Sequence, residues 1–170
     1  MRFVYGRHHW VSRERGQENC YLLTNGLGGF SGASMIGSNT RNDHALLMAC
    51  LHAPNDRYNM VHRLKEQVVR DDGKRDVYLS SQEYVDERRN EDGHVRLSAF
   101  CFEDAPKWVY DVDGVEIIKR IAMRQGENLV AVKYWIDNQS AHQVSLHVTP
   151  QLQFVPKGSS PRRDQQFTLT

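Results

Sequence analysis

Six side chains that form directional hydrogen bonds, Asn25, Asn39, Thr40, Arg41, Asp43 and His44, crowd into residues 25–47, a stretch that also holds five of the twelve glycines. A short apolar run precedes it (Tyr21, Leu22, Leu23) and another ends it (Leu46, Leu47, Met48). Amides, guanidinium and imidazole are directional hydrogen-bonding groups suited to a polar ligand, and glycines let the backbone approach a ligand or a partner closely. The stretch is therefore the first place to look for chemistry.

A phosphate loop is excluded by two missing residues. Gly26-Leu27-Gly28-Gly29-Phe30-Ser31 lacks the last glycine of the dinucleotide fingerprint. Gly32 and Gly37 have Walker spacing, but Ser38 stands where the lysine must be. Metal chemistry has no motif either. The eight histidines include no H-E-x-x-H, adjacent His8 and His9 would point apart on a strand, and His142 and His147 have opposite parity. No G-x-S-x-G surrounds a serine, and a pairing of Cys50 with His44 or His52 has no supporting motif. Glycoside cleavage needs two carboxylates astride the scissile bond; Glu18, Asp43, Glu66 and Glu83 are available, but no spacing selects a pair.

The surrounding elements read as strands and tight turns. Residues 2–6 form a short strand followed by a polar stretch, and residues 18–24 form another strand. Ala45–Leu51 is an apolar run between turn-like flanks and is expected as a buried strand. Asp-Gly pairs at Asp72-Gly73, Asp92-Gly93 and Asp113-Gly114 punctuate later apolar runs, a hairpin signal. Leu129–Ile136 is apolar on both faces apart from Lys133 and is expected as a central, covered strand. Val144, Leu146 and Val148 alternate with polar residues, as on a strand with one buried face. No long helix with capping signals is visible, and Lys65–Arg70 is where one would fit best. Strands recurring every ten residues or so predict an all-β fold, an antiparallel sandwich or barrel.

The 170 residues suit a single domain with a real core. A net charge of +1, with both signs interspersed, gives no reason to expect nucleic acid or an acidic membrane as partner. No apolar run reaches membrane-spanning length and no secretory signal is visible. Three scattered cysteines, Cys20, Cys50 and Cys101, favour buried free thiols in a reducing, cytoplasmic setting. Gln165–Thr170 reads as the beginning of a further strand, so the chain is expected to be part of a longer one.

The same glycine-rich stretch resembles a known family. Thr24-Asn25-Gly26-Leu27-Gly28-Gly29-Phe30, then Gly37-Ser38-Asn39-Thr40-Arg41, then His44-Ala45-Leu46-Leu47 is similar to the signature of the N-terminal domain of bacterial and archaeal glycogen debranching enzymes. Leu97-Ser98-Ala99-Phe100, Pro106-Lys107-Trp108-Val109-Tyr110, and Lys119 with Met123, Gly126-Glu127-Asn128 and Tyr134 extend the likeness. Asn42-Asp43 stands where the family often has Arg-Tyr, and Ala45 where it often has Gly.

The resemblance implies an antiparallel β-sandwich of the galactose-mutarotase-like, supersandwich kind. It implies a parent amylo-α-1,6-glucosidase whose catalytic carboxylates lie in a C-terminal (α/α)6 barrel, so no catalytic residue is expected in this chain. Its partners would be a glucan or oligosaccharide substrate and that barrel. No cofactor and no metal are called for. Asn25, Asn39, Thr40, Arg41 and His44 would touch substrate or the domain interface, with Phe30 or Trp108 as an aromatic face. A free-standing carbohydrate-binding module and a mutarotase-type epimerase using His44, His142 or His147 are the alternatives.

Overall fold

The computed structural model describes residues 2–71, 73–162 and 164–166. In chain order the elements are β1 (Phe3–Gly6), α1 (Arg13–Gln17), β2 (Cys20–Thr24), β3 (Phe30–Ser34), β4 (Ala45–His52), β5 (Asp56–Arg70) and β6 (Val77–Tyr78). Then follow β7 (Ser81–Gln82), β8 (Glu91–Asp92), β9 (Leu97–Phe102), β10 (Pro106–Val112), β11 (Val115–Met123), β12 (Val130–Asn138) and β13 (Val144–Pro156). The fold is all-β and antiparallel. One sheet has the order β1-β9-β10-β11-β12, and the other β13-β5-β4-β3-β2, with β6 added to β5. β7 and β8 form a separate two-stranded ribbon.

Period-two patterning builds the sandwich. On β10, Trp108, Tyr110 and Val112 are buried while Asp111 is exposed. On β11, Val115, Ile117 and Ile121 are buried while Glu116 is exposed. These residues meet Tyr21, Met35, Leu46, Val68 and Phe100 in one core between the sheets. The Asp113-Gly114 turn between β10 and β11 has φ of 51° and 89°, the left-handed pair that matches strand twist in a two-residue hairpin. Trp108 is 1% exposed and donates its indole N–H to the Met35 carbonyl at 2.7 Å. It is therefore a core residue, not an aromatic face for a ligand. Burial of such a ring contributes roughly 4–6 kcal/mol before entropy is counted.

Two ion pairs lie inside. Lys119 on β11 meets Glu66 on β5 at 2.8 Å, so the pair crosses from sheet to sheet, and the Tyr134 hydroxyl of β12 donates to the same carboxylate. Burial, then the Glu66 charge, pushes the Tyr134 phenol far up, so it stays a donor. Arg63 makes a two-pronged pair with Glu91 at 2.7 and 2.9 Å, and Tyr84 donates to Glu91 at 2.8 Å.

Several expectations change. Leu129–Ile136 is not central: β12 is the edge strand of its sheet, and Leu129, Trp135 and Ile136 are exposed among the described residues. Lys65–Arg70 belongs to the strand β5, with Glu66 and Val68 buried. Val144 and Leu146 pack on the core, but Val148 does not. His8 and His9 lie in a 3-10 turn (Arg7–His9) with ring centroids 3.8 Å apart, instead of pointing apart on a strand. The polar stretch after β1 contains the short helix α1, capped by the Ser12 hydroxyl, which accepts from the Arg15 N–H. All three cysteines are free thiols; Cys50 and Cys101 are buried, but Cys20 is exposed at the sheet edge. The strand expected at Gln165–Thr170 falls largely outside the described residues, and Gln165 and Gln166 are not in a strand. Asp72 of the first Asp-Gly pair also lies outside them.

Candidate functional site

The glycine-rich stretch divides into two structures with different work. The first is the β2–β3 turn, organised by Asn25. Its side chain is 0% exposed. The amide oxygen accepts from the N–H groups of Leu27 and Gly29, each at 3.0 Å. The amide nitrogen donates to the Glu127 carbonyl at 2.9 Å and to Asn128 Oδ1 at 3.0 Å. Asn128 in turn brackets the Cys50 backbone, accepting from its N–H at 3.0 Å and donating to its carbonyl at 2.7 Å. Two side-chain amides thus fasten the β2–β3 turn and β4 of one sheet to the β11–β12 turn of the other. The structure uses both donor and both acceptor positions of Asn25 internally.

The second structure is the loop from β3 to β4. Ser34 and Ser38 close its first turn, with the Ser38 N–H donating to Ser34 Oγ at 3.0 Å. Asn39 donates its amide to the His62 carbonyl at 2.7 Å, and its own N–H reaches Gln82 Oε1 on β7 at 3.2 Å. His44 is buried, and its Nδ1 accepts from the Thr40 N–H at 3.1 Å, which leaves the ring proton on Nε2. The His44 N–H returns to the Arg41 carbonyl at 3.0 Å, closing a turn over residues 41–44. Asn39 and His44 therefore act from behind, and the exposed side chains of Thr40, Arg41 and Asn42 are held outward on a fixed turn.

Those side chains line a hollow of about 240 Å³ with His62, Gln153, Ser159 and Ser160. Burial, helped by the nearby charge of Arg63 and by His44, pushes His62 down to about 4, so it is neutral near pH 7. Burial also lowers His44. The hollow consequently offers neutral groups that both donate and accept, plus the single guanidinium of Arg41. A second hollow, about 330 Å³, lies beside it and is lined by Leu22, Phe30, Asp43, Arg57 and Lys157. There Lys157 stands 5.7 Å from the centre of the half-buried Phe30 ring and 4.0 Å from Asp43.

Of the five residues expected to form a site, Asn39, Thr40 and Arg41 meet at the first hollow, His44 supports it, and Asn25 sits apart in the β2–β3 turn. His62, Gln153, Ser159 and Ser160 went unnoticed in the sequence because they lie on β5, on β13 and beyond it, and only long-range pairing brings them near residue 40. The four candidate carboxylates do not converge. Glu66 is locked in the core, Glu18 pairs with Arg15, Glu83 pairs with Arg13, and Asp43 faces the second hollow. Among the described residues no group of three His, Cys, Asp or Glu side chains is arranged to hold a metal. No helix among them is long and apolar enough to cross a membrane.

A family model described as glycogen debranching enzyme N terminal matches residues 19–169. The chain belongs to this family. The match takes in both halves of the glycine-rich stretch and every residue named around the first hollow. Two motifs of the family resemblance that lie about a hundred residues apart, Thr24–Phe30 and Gly126–Asn128, meet in the Asn25–Asn128 contact. Lys119 and Tyr134, also among the residues of the resemblance, converge on Glu66. No curated protein and no solved structure gives a significant match to the chain.

Proposed function

We propose that this chain is the N-terminal, non-catalytic domain of a cytoplasmic glycogen-debranching amylo-α-1,6-glucosidase. In this reading a catalytic (α/α)6 barrel follows in the same polypeptide, and the sandwich is of the supersandwich kind. The loop after β3 walls the glucan cleft, and the Asn25–Asn128 junction stiffens the end of the sandwich beside it. The observation that carries the reading is the hollow at Thr40–Asn42. Side chains of the debranching signature are held outward by the buried His44 and the half-buried Asn39, towards Gln153 and Ser159. Sugar hydroxyls each donate and accept, and so do the hydroxyl and amide groups gathered there. One cationic fork adds a stronger, charge-assisted bond.

The test is made in the enzyme that carries this domain together with its barrel. Arg41→Ala is expected to raise KM for a branched limit dextrin by about tenfold while leaving kcat and the melting temperature nearly unchanged, because a surface bond to bound substrate is lost and no packing is touched. An unchanged KM would remove the hollow from the substrate path. A mutarotase-type mechanism needs a histidine and a carboxylate facing one cleft. His44 is buried with Nδ1 engaged by Thr40, Glu66 lies between the sheets, and His142 meets Asp71 at 3.4 Å on an exposed turn rather than in a cleft, so no observation favours that alternative.

A further inference from the structure

The outer face of the β1-containing sheet carries charge in rows. Lys107 of β10 pairs in register with Arg120 of β11, which pairs with Lys133 of β12, making a basic row across three strands. Two residues along, Val109, Ile118 and Trp135 form an apolar row in the same way. Two residues further, Asp111, Glu116 and Asp137 form an acidic row. All nine point to the side away from the core, since Trp108, Tyr110, Ile117 and Lys119, their neighbours of opposite parity, are buried. Lys133 lies 4.4 Å from the centre of the Trp135 ring, and Trp135 is 43% exposed. Arg120 reaches sideways to Asp104 at 2.7 Å and stays partly exposed.

Within one chain this arrangement is unfavourable, because like charges directly opposite each other on neighbouring strands repel. It becomes favourable against a surface with the rows in the reverse order. The chain itself supplies one. A half-turn about an axis running along the apolar row exchanges the basic and acidic rows and leaves the apolar row facing itself. Lys133 then meets the second copy's Asp137, Arg120 meets its Glu116, and Lys107 meets its Asp111. A half-turn about the strand direction instead sets like charges together, so the pattern selects one packing of the two.

We propose that the outer face of β10, β11 and β12 is an isologous dimer interface, closed by a second copy of this chain across the Val109–Ile118–Trp135 row. The three strands, about 4.8 Å apart and about 30 Å long, offer about 430 Å² per copy, the size of a weak interface, so the opposed charge rows rather than area must set the association. The hollow at Thr40–Asn42 is built by β5, β13 and the β3–β4 loop, which belong to the other sheet, so dimerisation leaves it open.

Sedimentation equilibrium of the chain tests this with four proteins: wild type, Lys133→Glu, Asp137→Lys and the double variant. Wild type is expected to dimerise, and less tightly as salt is raised. Each single reversal sets like charges together twice by symmetry and is expected to weaken association at least about tenfold. The double variant restores opposite charges across the axis and is expected to recover most of the loss. Trp135→Ser, at an exposed position, is expected to weaken the dimer without changing the melting temperature. A chain that stays monomeric at about 100 μM overturns the proposal. So does a dimer indifferent to the reversals, which is what pairing through the edge of β12 would give, or a double variant no better than the singles.

Discussion

Replacing Asn25 by alanine separates scaffold from ligand contact within the glycine-rich stretch. The wild-type side chain makes four hydrogen bonds, two accepted from Leu27 and Gly29 and two donated to Glu127 and Asn128, and the residue is fully buried. Alanine removes the acceptor of the Leu27 and Gly29 N–H groups and leaves Asn128 Oδ1 with the Cys50 N–H alone. At about 1 kcal/mol per bond the expected loss is about 3–4 kcal/mol. For a domain of this length that lowers the melting temperature by about 10 °C. Urea unfolding followed by tryptophan fluorescence measures it, since Trp108 and Trp10 are both in the core. Asn128→Ala is expected to cost a similar amount. The double variant is expected to cost less than the sum by at least about 1 kcal/mol, because the two amides share one bond and one network. Arg41→Ala, on the exposed turn, is expected to change stability by less than about 0.5 kcal/mol. A loss at Asn25 below about 1 kcal/mol, or additive single losses, would refute the junction.

Three further outcomes follow from the interior. Breaking the sheet-to-sheet pair by Lys119→Met alone should destabilise by about 3–5 kcal/mol, while Lys119→Met with Glu66→Leu should recover much of that, as calorimetry of the three proteins would show. Stability should fall as pH drops from about 6.5 towards about 4, because the unfolded chain protonates His62 and the folded one does not. His62→Gln should flatten that slope, and an unchanged slope would contradict the burial of the ring. Gly93→Ala should cost about 3 kcal/mol by thermal melting, since an added Cβ would overlap the backbone carbonyl of Leu79.

Much of the fold was legible from turn chemistry. Asp113-Gly114 announced the β10–β11 hairpin, and Val144 and Leu146 alternating with polar residues announced the buried face at the start of β13. β12 was misread because a run apolar on both faces looks like a strand covered twice, whereas β12 is a sheet edge with Trp135 exposed on the outer face and Ile136 exposed on the inner one near the strand's end. That misreading and the dimer proposal share one cause, apolar side chains of β12 left exposed among the described residues. The ion pairs were not legible. Glu66 and Lys119 are 53 residues apart, and no local pattern marks a carboxylate and an amine that will be desolvated together. The site was half legible. Thr40 and Arg41 stood out by composition, but the division between Asn25 as a junction and Arg41 as an outward group depends on burial, which a motif does not carry.

The hollow behind Arg41 is where glucan should bind. Titrating the ¹⁵N-labelled chain with a maltooligosaccharide that bears one α-1,6 branch tests it without needing the barrel. Shifts are expected at the amides of Thr40, Arg41, Asn42, His62, Gln153 and Ser159, and they should disappear in Arg41→Ala while the rest of the spectrum is unchanged. No shifts at saturating sugar, or shifts confined to β10, β11 and β12, would contradict it.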